Sequence, residues 1–407
     1  MFLTRGRALA FQLIHAADGG INYTFSSIAL DPSFQQGNIP MPLIVSDDRY
    51  AHTVLVGSNS TVYEFNPFEF GTWDPTIYGF APLEYLGTNF SGGIVPDGQM
   101  CVRGFDNAGY IMGSSSTLFN EAWITANESS LPSIIKAPIL DLIGEIGQDN
   151  DDVAIYSPNA FYGYNNATNP NYNSTSLTLV DGGEDGENIP LQPLIQPIRA
   201  VDVIFAIDSS ADTTPMHWPN GTSLITTYER SLNATGIANH TSFPAVPDAN
   251  TFVNLGLNNR PTFFGCDSRN TTTPTPLIVY LPNSPYSFQS NISTFEDTYS
   301  DTTRDAVILN GYNIATMGNN SVDSGWTTCA GCAILSRSFE RTNTAVPAAC
   351  TQCFNRYCWN GSINSTAPAG EYAPRYKVTK SGATIQTASK FIAFAVAIAT
   401  AFAIELA

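Results

Sequence analysis

Positive charge is scarce in this sequence. Its 407 residues hold 17 lysines and arginines against 35 aspartates and glutamates, a net charge of −18. That balance argues against nucleic acid or an anionic membrane surface as a direct partner, since both need a basic face. Histidine is scarcer still. His15, His52, His217 and His240 are the only four, and they show no ligand spacing, so no metal or other cofactor is expected. No G-x-S-x-G occurs anywhere, so the sharp turn that presents a nucleophilic serine in many hydrolases is missing from these residues. There is no internal repeat. A convincing secretory signal is also lacking: Met1–Ala17 has two arginines, but Gln12 interrupts a short apolar run that reads better as a helix.

Apolar residues are plentiful at 43%, enough for one large domain or two smaller ones. Charged residues make up only 13%, so solubility must rest on Ser, Thr, Asn and attached sugar. Fourteen N-x-S/T sequons run from Asn22 to Asn364. One alone means little, but so many along the length point to secretion with heavy glycan cover. The seven cysteines are read in that light. Cys329-x-x-Cys332 and Cys350-x-x-Cys353 have the spacing of a four-thiolate zinc site. In an oxidising compartment the preferred expectation is that they and Cys358 form disulfides. Seven is odd, so at least one thiol should lack a mate within this chain.

Two segments read as buried strands, each delivering an aspartate into a turn. SLTLV, 176–180, runs into Asp181-Gly182-Gly183, and VDVIFAID, 201–208, is a continuous apolar run of the kind covered on both faces. Two glycines after Asp181 allow positive φ and a hard turn that leaves the carboxylate at a strand end, where open α/β sheets keep their chemistry. Asp181 is therefore either a catalytic carboxylate or a cap for its own turn. Short strands alternate with turns over 39–110, LIVYLP at 277–282 reads as a buried strand, and LPSIIKAPILDLIGEIG and DTTRDAVILNGYNIATM read as helices. The acidic DNDD at 149–152 lacks calcium-loop spacing and reads as a solvated loop. The tail FIAFAVAIATAFAIELA, 391–407, is apolar with no basic residue after it. A polar spacer and the small triplet Ser381-Gly382-Ala383 precede it, the layout of a glycolipid-anchor signal. A spanning helix is the competing reading.

The runs LVDGGEDGENIPLQPLIQP and VDVIFAIDSSAD, followed by WPNGTSL and TYERSL, resemble the fungal lysophospholipase (phospholipase B) family, relatives of the group IV cytosolic phospholipases. The resemblance extends through YTFSSIALDPSFQ, VYEFNPFEFGTWDP, PLEYLGTNFSGG and CVRGFDNAGYIMG, and into SGWTTCAGCAILSRSFER and CTQCFNRYCWNG. It covers nearly all of residues 5–361. It implies an α/β fold, a mixed central sheet with helices on both faces like the patatin-like catalytic domain of cytosolic phospholipase. It also implies a hydrolase that cleaves acyl esters of phospholipids and lysophospholipids with a serine–aspartate dyad. Asp181 matches the dyad aspartate. The family's G-x-S-G-G nucleophile turn, its oxyanion loop and its phosphate-binding arginine have no counterpart here, because the first residues resemble the middle of the catalytic domain. Residues 1–368 are then the C-terminal part of that domain, with a cysteine-rich segment at 329–358, a linker over 369–390 and a tail over 391–407. The implied partners are phospholipid and lysophospholipid at a membrane surface, with a glycolipid anchor outside the cell. The competing reading is a surface glycoprotein that kept the scaffold and lost the dyad. Two features mimic a nucleophile. Ser91 in NFSGG is the serine of an Asn89 sequon, and the order Ser91, Asp181, His217 matches a hydrolase triad in order alone. MGSSSTLFN, 112–120, reads as a helix-start cap.

Overall fold

A computed structural model describes residues 23–49, 56–115, 153–267, 275–292 and 298–378. The chain divides into two compact units, Met1–Pro193 and Leu194–Ala407. Strands and helices both contribute, as an α/β chain should. Among the described residues the strands form two sheets, one in each unit, the second of them mixed.

In the first unit, alternating apolar residues and tight turns build six antiparallel strands: β1 Ile44–Asp48, β2 Val62–Phe65, β3 Glu69–Thr72, β4 Gly79–Pro82, β5 Ala154–Tyr156 and β6 Leu177–Asp181. Their order is β4-β3-β2-β1-β6-β5. Period-2 alternation sends Tyr63, Phe65, Phe70, Tyr156, Leu177 and Leu179 to one face, where they join Ile111 of helix α1, Ala108–Ser114, in one core. Phe65 and Phe70 stack at 4.5 Å between ring centres across the β2–β3 pair. Ser114 ends this helix, its hydroxyl 2.9 Å from the Tyr110 carbonyl and 2.6 Å from the Tyr156 hydroxyl. The helix start expected after these serines falls on 116–120, outside the described residues.

The second unit begins with β7 Val203–Asp208. After it come helices α2 Thr222–Leu232 and α3 Ala249–Asn254, then strands β8 Thr262–Phe264 and β9 Leu277–Pro282. Three helices close it: α4 Asp301–Thr316, α5 Trp326–Arg341 and α6 Ala348–Tyr357. Strand β9 is central, parallel to β7 and antiparallel to β8. Both faces of this sheet are covered. Leu277, Val279, Leu281 and Phe263 meet Ile314, Trp326 and Tyr357 of the last three helices, while Phe252 of α3 packs on Phe264 and Tyr280 of the other face. LIVYLP is therefore buried throughout, as expected. VDVIFAID, expected to be buried on both sides, lies at a sheet edge, and Phe205 keeps 37% of its surface exposed.

The cysteine spacing finds its use between α5 and α6. Cysteines three apart share one face of a helix, so an antiparallel pair brings the first of one to the last of the other. The bonds are Cys329–Cys353 and Cys332–Cys350, and Cys266–Cys358 ties the end of α6 to the segment after β8. Cys101 is an exposed free thiol. Arg337 of α5 is buried and donates to the carbonyls of Thr275 and Gly265, each at 2.7 Å, so it orients the stapled helix pair on the sheet. The expected helices over 1–17 and 131–147, the acidic run 149–152 and the apolar tail lie outside the described residues.

Candidate active site

Strand β6 carries its alternating Leu177 and Leu179 into the core and stops at Asp181, so the carboxylate emerges at the strand's C-terminal end. The stop is made by a turn. Asp181 Oδ1 accepts a hydrogen bond from the Gly183 amide at 2.8 Å, and its carbonyl accepts from the Glu184 amide at 3.2 Å. Neither Gly182 nor Gly183 has positive φ, so the conformational reason expected for them does not hold. Crowding is the reason. A Cβ on Gly182 would sit 2.6 Å from Val45 Cγ2 and 2.9 Å from the Val45 carbonyl, and one on Gly183 would sit 2.5 Å from Asn188 Oδ1. Gly182 lies too tightly against the β1 backbone for any side chain, and Gly183 is crowded by the Asn188 side chain.

Strand β1 supplies the surroundings, and its sequence Ile-Val-Ser-Asp-Asp divides by parity. Ser46 is the cross-strand partner of Asp181, and Asp48 pairs with Leu179, so Ser46, Asp48 and Asp181 project from the same face. Asp47 points the other way, and its Oδ2 accepts from the Asp185 amide at 3.2 Å, anchoring the turn that follows Asp181. Asn171 donates to Asp48 Oδ2. Burial pushes the Asp48 carboxyl up to about 7. Burial raises Asp181 to about 7 as well; the Gly183 amide opposes this and the nearby Asp185 charge adds to it. A carboxylate with that proton affinity is matched to general-base work near neutral pH. Beside it, the fully buried Ser46 hydroxyl has no hydrogen-bond partner among the described residues. Such an orphan costs about 1–3 kcal/mol and is an unusual thing to keep next to a carboxylate.

Asp208, the second strand-end aspartate, is wholly buried in the other unit. Its carboxyl accepts from the Tyr280 hydroxyl at 2.7 Å and the Ser210 amide at 2.9 Å, so its bonds serve its own sheet. Ser91 lies in a tight turn closed on Ile94 by a 2.9 Å bond from its own amide, between Gly92 and Gly93 on one side and the exposed Asn89 on the other. No strand-to-helix elbow surrounds it. His217 is exposed, with φ at 52°, on a loop of the second unit. Among the described residues no set of three His, Cys, Asp or Glu is placed to hold a metal ion. Sequence reasoning missed Ser46, Asp47 and Asp48; the signal was a strand that turns from Ile-Val to three polar residues without leaving the sheet.

Residues 4–364 match the family model of the lysophospholipase catalytic domain. Lysophospholipase 1 of Aspergillus fumigatus is 63% identical over 369 residues, which cover 91% of this chain and 58% of that protein. A lysophospholipase of Penicillium chrysogenum is 58% identical over 91% of the chain, and Lysophospholipase 1 of Saccharomyces cerevisiae 48% over 90%. This chain thus spans 56–60% of the length of those three relatives. Among solved structures, human GIVD cytosolic phospholipase A2 aligns with a TM-score of 0.47 at 15% identity, over 77% of this chain and 40% of that one.

Proposed function

Because the chain belongs to the lysophospholipase family, we propose that it is the aspartate-bearing part of a lysophospholipase that hydrolyses acyl esters of phospholipids and lysophospholipids. The observation that carries this is Asp181: a carboxyl at a strand end, held by a crowded glycine turn, with its proton affinity raised by burial to about 7. In the reaction a serine hydroxyl attacks the ester carbonyl while the Asp181 carboxylate takes the hydroxyl proton. The leaving lysolipid or glycerophospho alcohol is protonated in turn, and water then releases the acyl group as a fatty acid. No serine in a G-x-S-x-G turn lies within these 407 residues, and this reading takes the nucleophile from sequence outside them. The test is Asp181→Asn in a longer chain carrying the nucleophile turn. The amide keeps the shape but cannot take the proton, so hydrolysis of lysophosphatidylcholine should fall to background while the melting curve stays cooperative. Retention of more than a few per cent of the rate would reduce Asp181 to a turn residue.

An extracellular, glycosylated setting is part of the same proposal. Of the described sequon asparagines, Asn59, Asn89, Asn166, Asn173, Asn319, Asn360 and Asn364 are exposed and none is buried. The buried asparagines, Asn66, Asn159, Asn169, Asn258, Asn283, Asn310 and Asn313, all lie outside sequons. Asn220, Asn233, Asn239 and Asn291 are half-buried, and the segregation supports glycan attachment, which needs an accessible amide. The three disulfides fit the same oxidising compartment. Anchoring through the Ser381–Ala383 triplet completes the proposal and puts the hydrolase beside its lipids.

A further inference from the structure

The second unit contains a cavity of about 470 Å³ lined by none of the residues discussed above as candidate catalytic groups. Three cations line it, Arg260, Arg356 and Lys377, in a chain with only 17 lysines and arginines in all. One carboxylate is present, that of Asp323, and it is already engaged. It accepts from Arg356 and from the Tyr357 hydroxyl through one oxygen and from the Gly325 amide at 2.8 Å through the other. Tyr286, Met317, Val322 and Tyr357 form the apolar wall.

Lys377 is the informative member. It follows a strap tied by its backbone amides, Lys377 and Val378 bonding to the carbonyls of Pro285 and Tyr286. Its ammonium lies 4.4 Å from the centre of the Tyr286 ring and 3.3 Å from Ser284 Oγ, with no carboxylate in salt-bridge reach among the described residues. Burial, with the Arg260 charge adding to it, brings its proton affinity down to about 7. Arg260 has no acidic partner there either; its one bond is a 3.4 Å contact to the Arg356 carbonyl. A strongly acidic protein has therefore set two half-buried cations side by side with no carboxylate bonded to either among the described residues, an arrangement that costs free energy unless an anion fills it. The walls are fixed by the Cys266–Cys358 bond next to Tyr357 and by the stacking of Tyr357 on Phe263 at 5.3 Å.

We propose that this cavity is a binding site for a phosphate monoester, with Arg260, Arg356 and Lys377 holding the phosphate oxygens and Tyr286 and Val322 beside its organic part. With Lys377 protonated, three cations and one carboxylate leave +2, against the roughly −1.5 to −2 of a phosphate monoester at neutral pH. The volume lies in the range of small-molecule sites and leaves room beyond the phosphate itself. The ester can be a soluble one or the headgroup of a lipid such as phosphatidate. Near pH 8 the anion should draw a proton from solvent onto Lys377, because its charge favours the ammonium.

Binding tests this without reference to hydrolysis. Titration calorimetry of the 407-residue chain with glycerol 3-phosphate at about pH 8, in two buffers of different ionisation enthalpy, should give one site and net proton uptake. Arg260→Gln and Lys377→Met should each weaken binding about tenfold or more, the scale of a charge-assisted hydrogen bond, and Lys377→Met should abolish the uptake. Asp323→Asn should tighten binding several-fold, since it removes the only carboxylate and releases Arg356; a misfolded variant cannot bind better. Phosphatidylcholine vesicles with and without phosphatidate form the second arm. Capture by phosphatidate alone, lost in Lys377→Met, assigns the lipid headgroup, and binding of the soluble ester alone assigns the free phosphate. No binding in either arm, indifference to both cation variants, or weaker binding by Asp323→Asn would overturn the site.

Discussion

At the scale of single residues, Asp48 and Asp181 make the folded chain bind protons that the unfolded chain releases. Both carboxyls rise from about 3.8 to about 7, and the buried Asp208 moves in the same direction. Between pH 4 and 7 the native state therefore holds more protons than the unfolded state, so stability falls as pH rises through that window. Lys377 acts oppositely above it. Its lowered proton affinity, about 7 against 10.5, makes stability rise from pH 7 towards pH 10. Thermal melts across this range should show a minimum near neutrality. Asp48→Asn should flatten the acidic limb and Lys377→Met the alkaline one. A melting temperature that climbs steadily from about pH 5 to pH 7.5 would contradict the assignment of both carboxyls.

Among the elements, the α5–α6 pair depends most on covalent closure. Neither helix buries a broad apolar stripe; the inward residues include Cys329, Cys332, Cys350 and Cys353 themselves. The two bonds span 24 and 18 residues, for which chain-entropy arguments give about 3 kcal/mol each, model-dependent and not additive for nested loops. Cys329→Ser with Cys353→Ser should lower stability by roughly that amount in equilibrium denaturation. Peptide mapping without reductant should recover the pairs 266–358, 329–353 and 332–350, with Cys101 open to alkylation. One stoichiometric zinc per chain would refute the disulfide assignment.

For the whole molecule, the proposed dyad sets the test. On that proposal Asp181 is a base parted from its nucleophile and oxyanion donors, and such groups act as a unit. The 407-residue chain alone should therefore release no fatty acid from lysophosphatidylcholine above background, while a longer chain that adds the G-x-S-G-G turn should. Clear turnover by the shorter chain would mean that another serine serves.

Much of this was legible in the sequence because it is local. Strand ends at Asp181 and Asp208, the buried LIVYLP strand, the α4 helix and the oxidised CxxC pairs follow from spacing and β-branched runs, which need only neighbours in the chain. The sequon asparagines could be named but not seen to be exposed. What the tertiary structure decided depends on distant segments meeting. Strand β1 brings Ser46 and Asp48 beside Asp181 across more than a hundred residues, and the pairing register alone determines that Asp47 faces away. The need for Gly182 and Gly183 comes from Val45 and Asn188 pressing on the turn, not from their own dihedrals. Arg260, Arg356 and Lys377 lie in three unrelated stretches, and only the packing of β8, α6 and the final strap gathers them around one cavity. Periodicity reports which face of an element is apolar; it carries no information about which other element that face will meet.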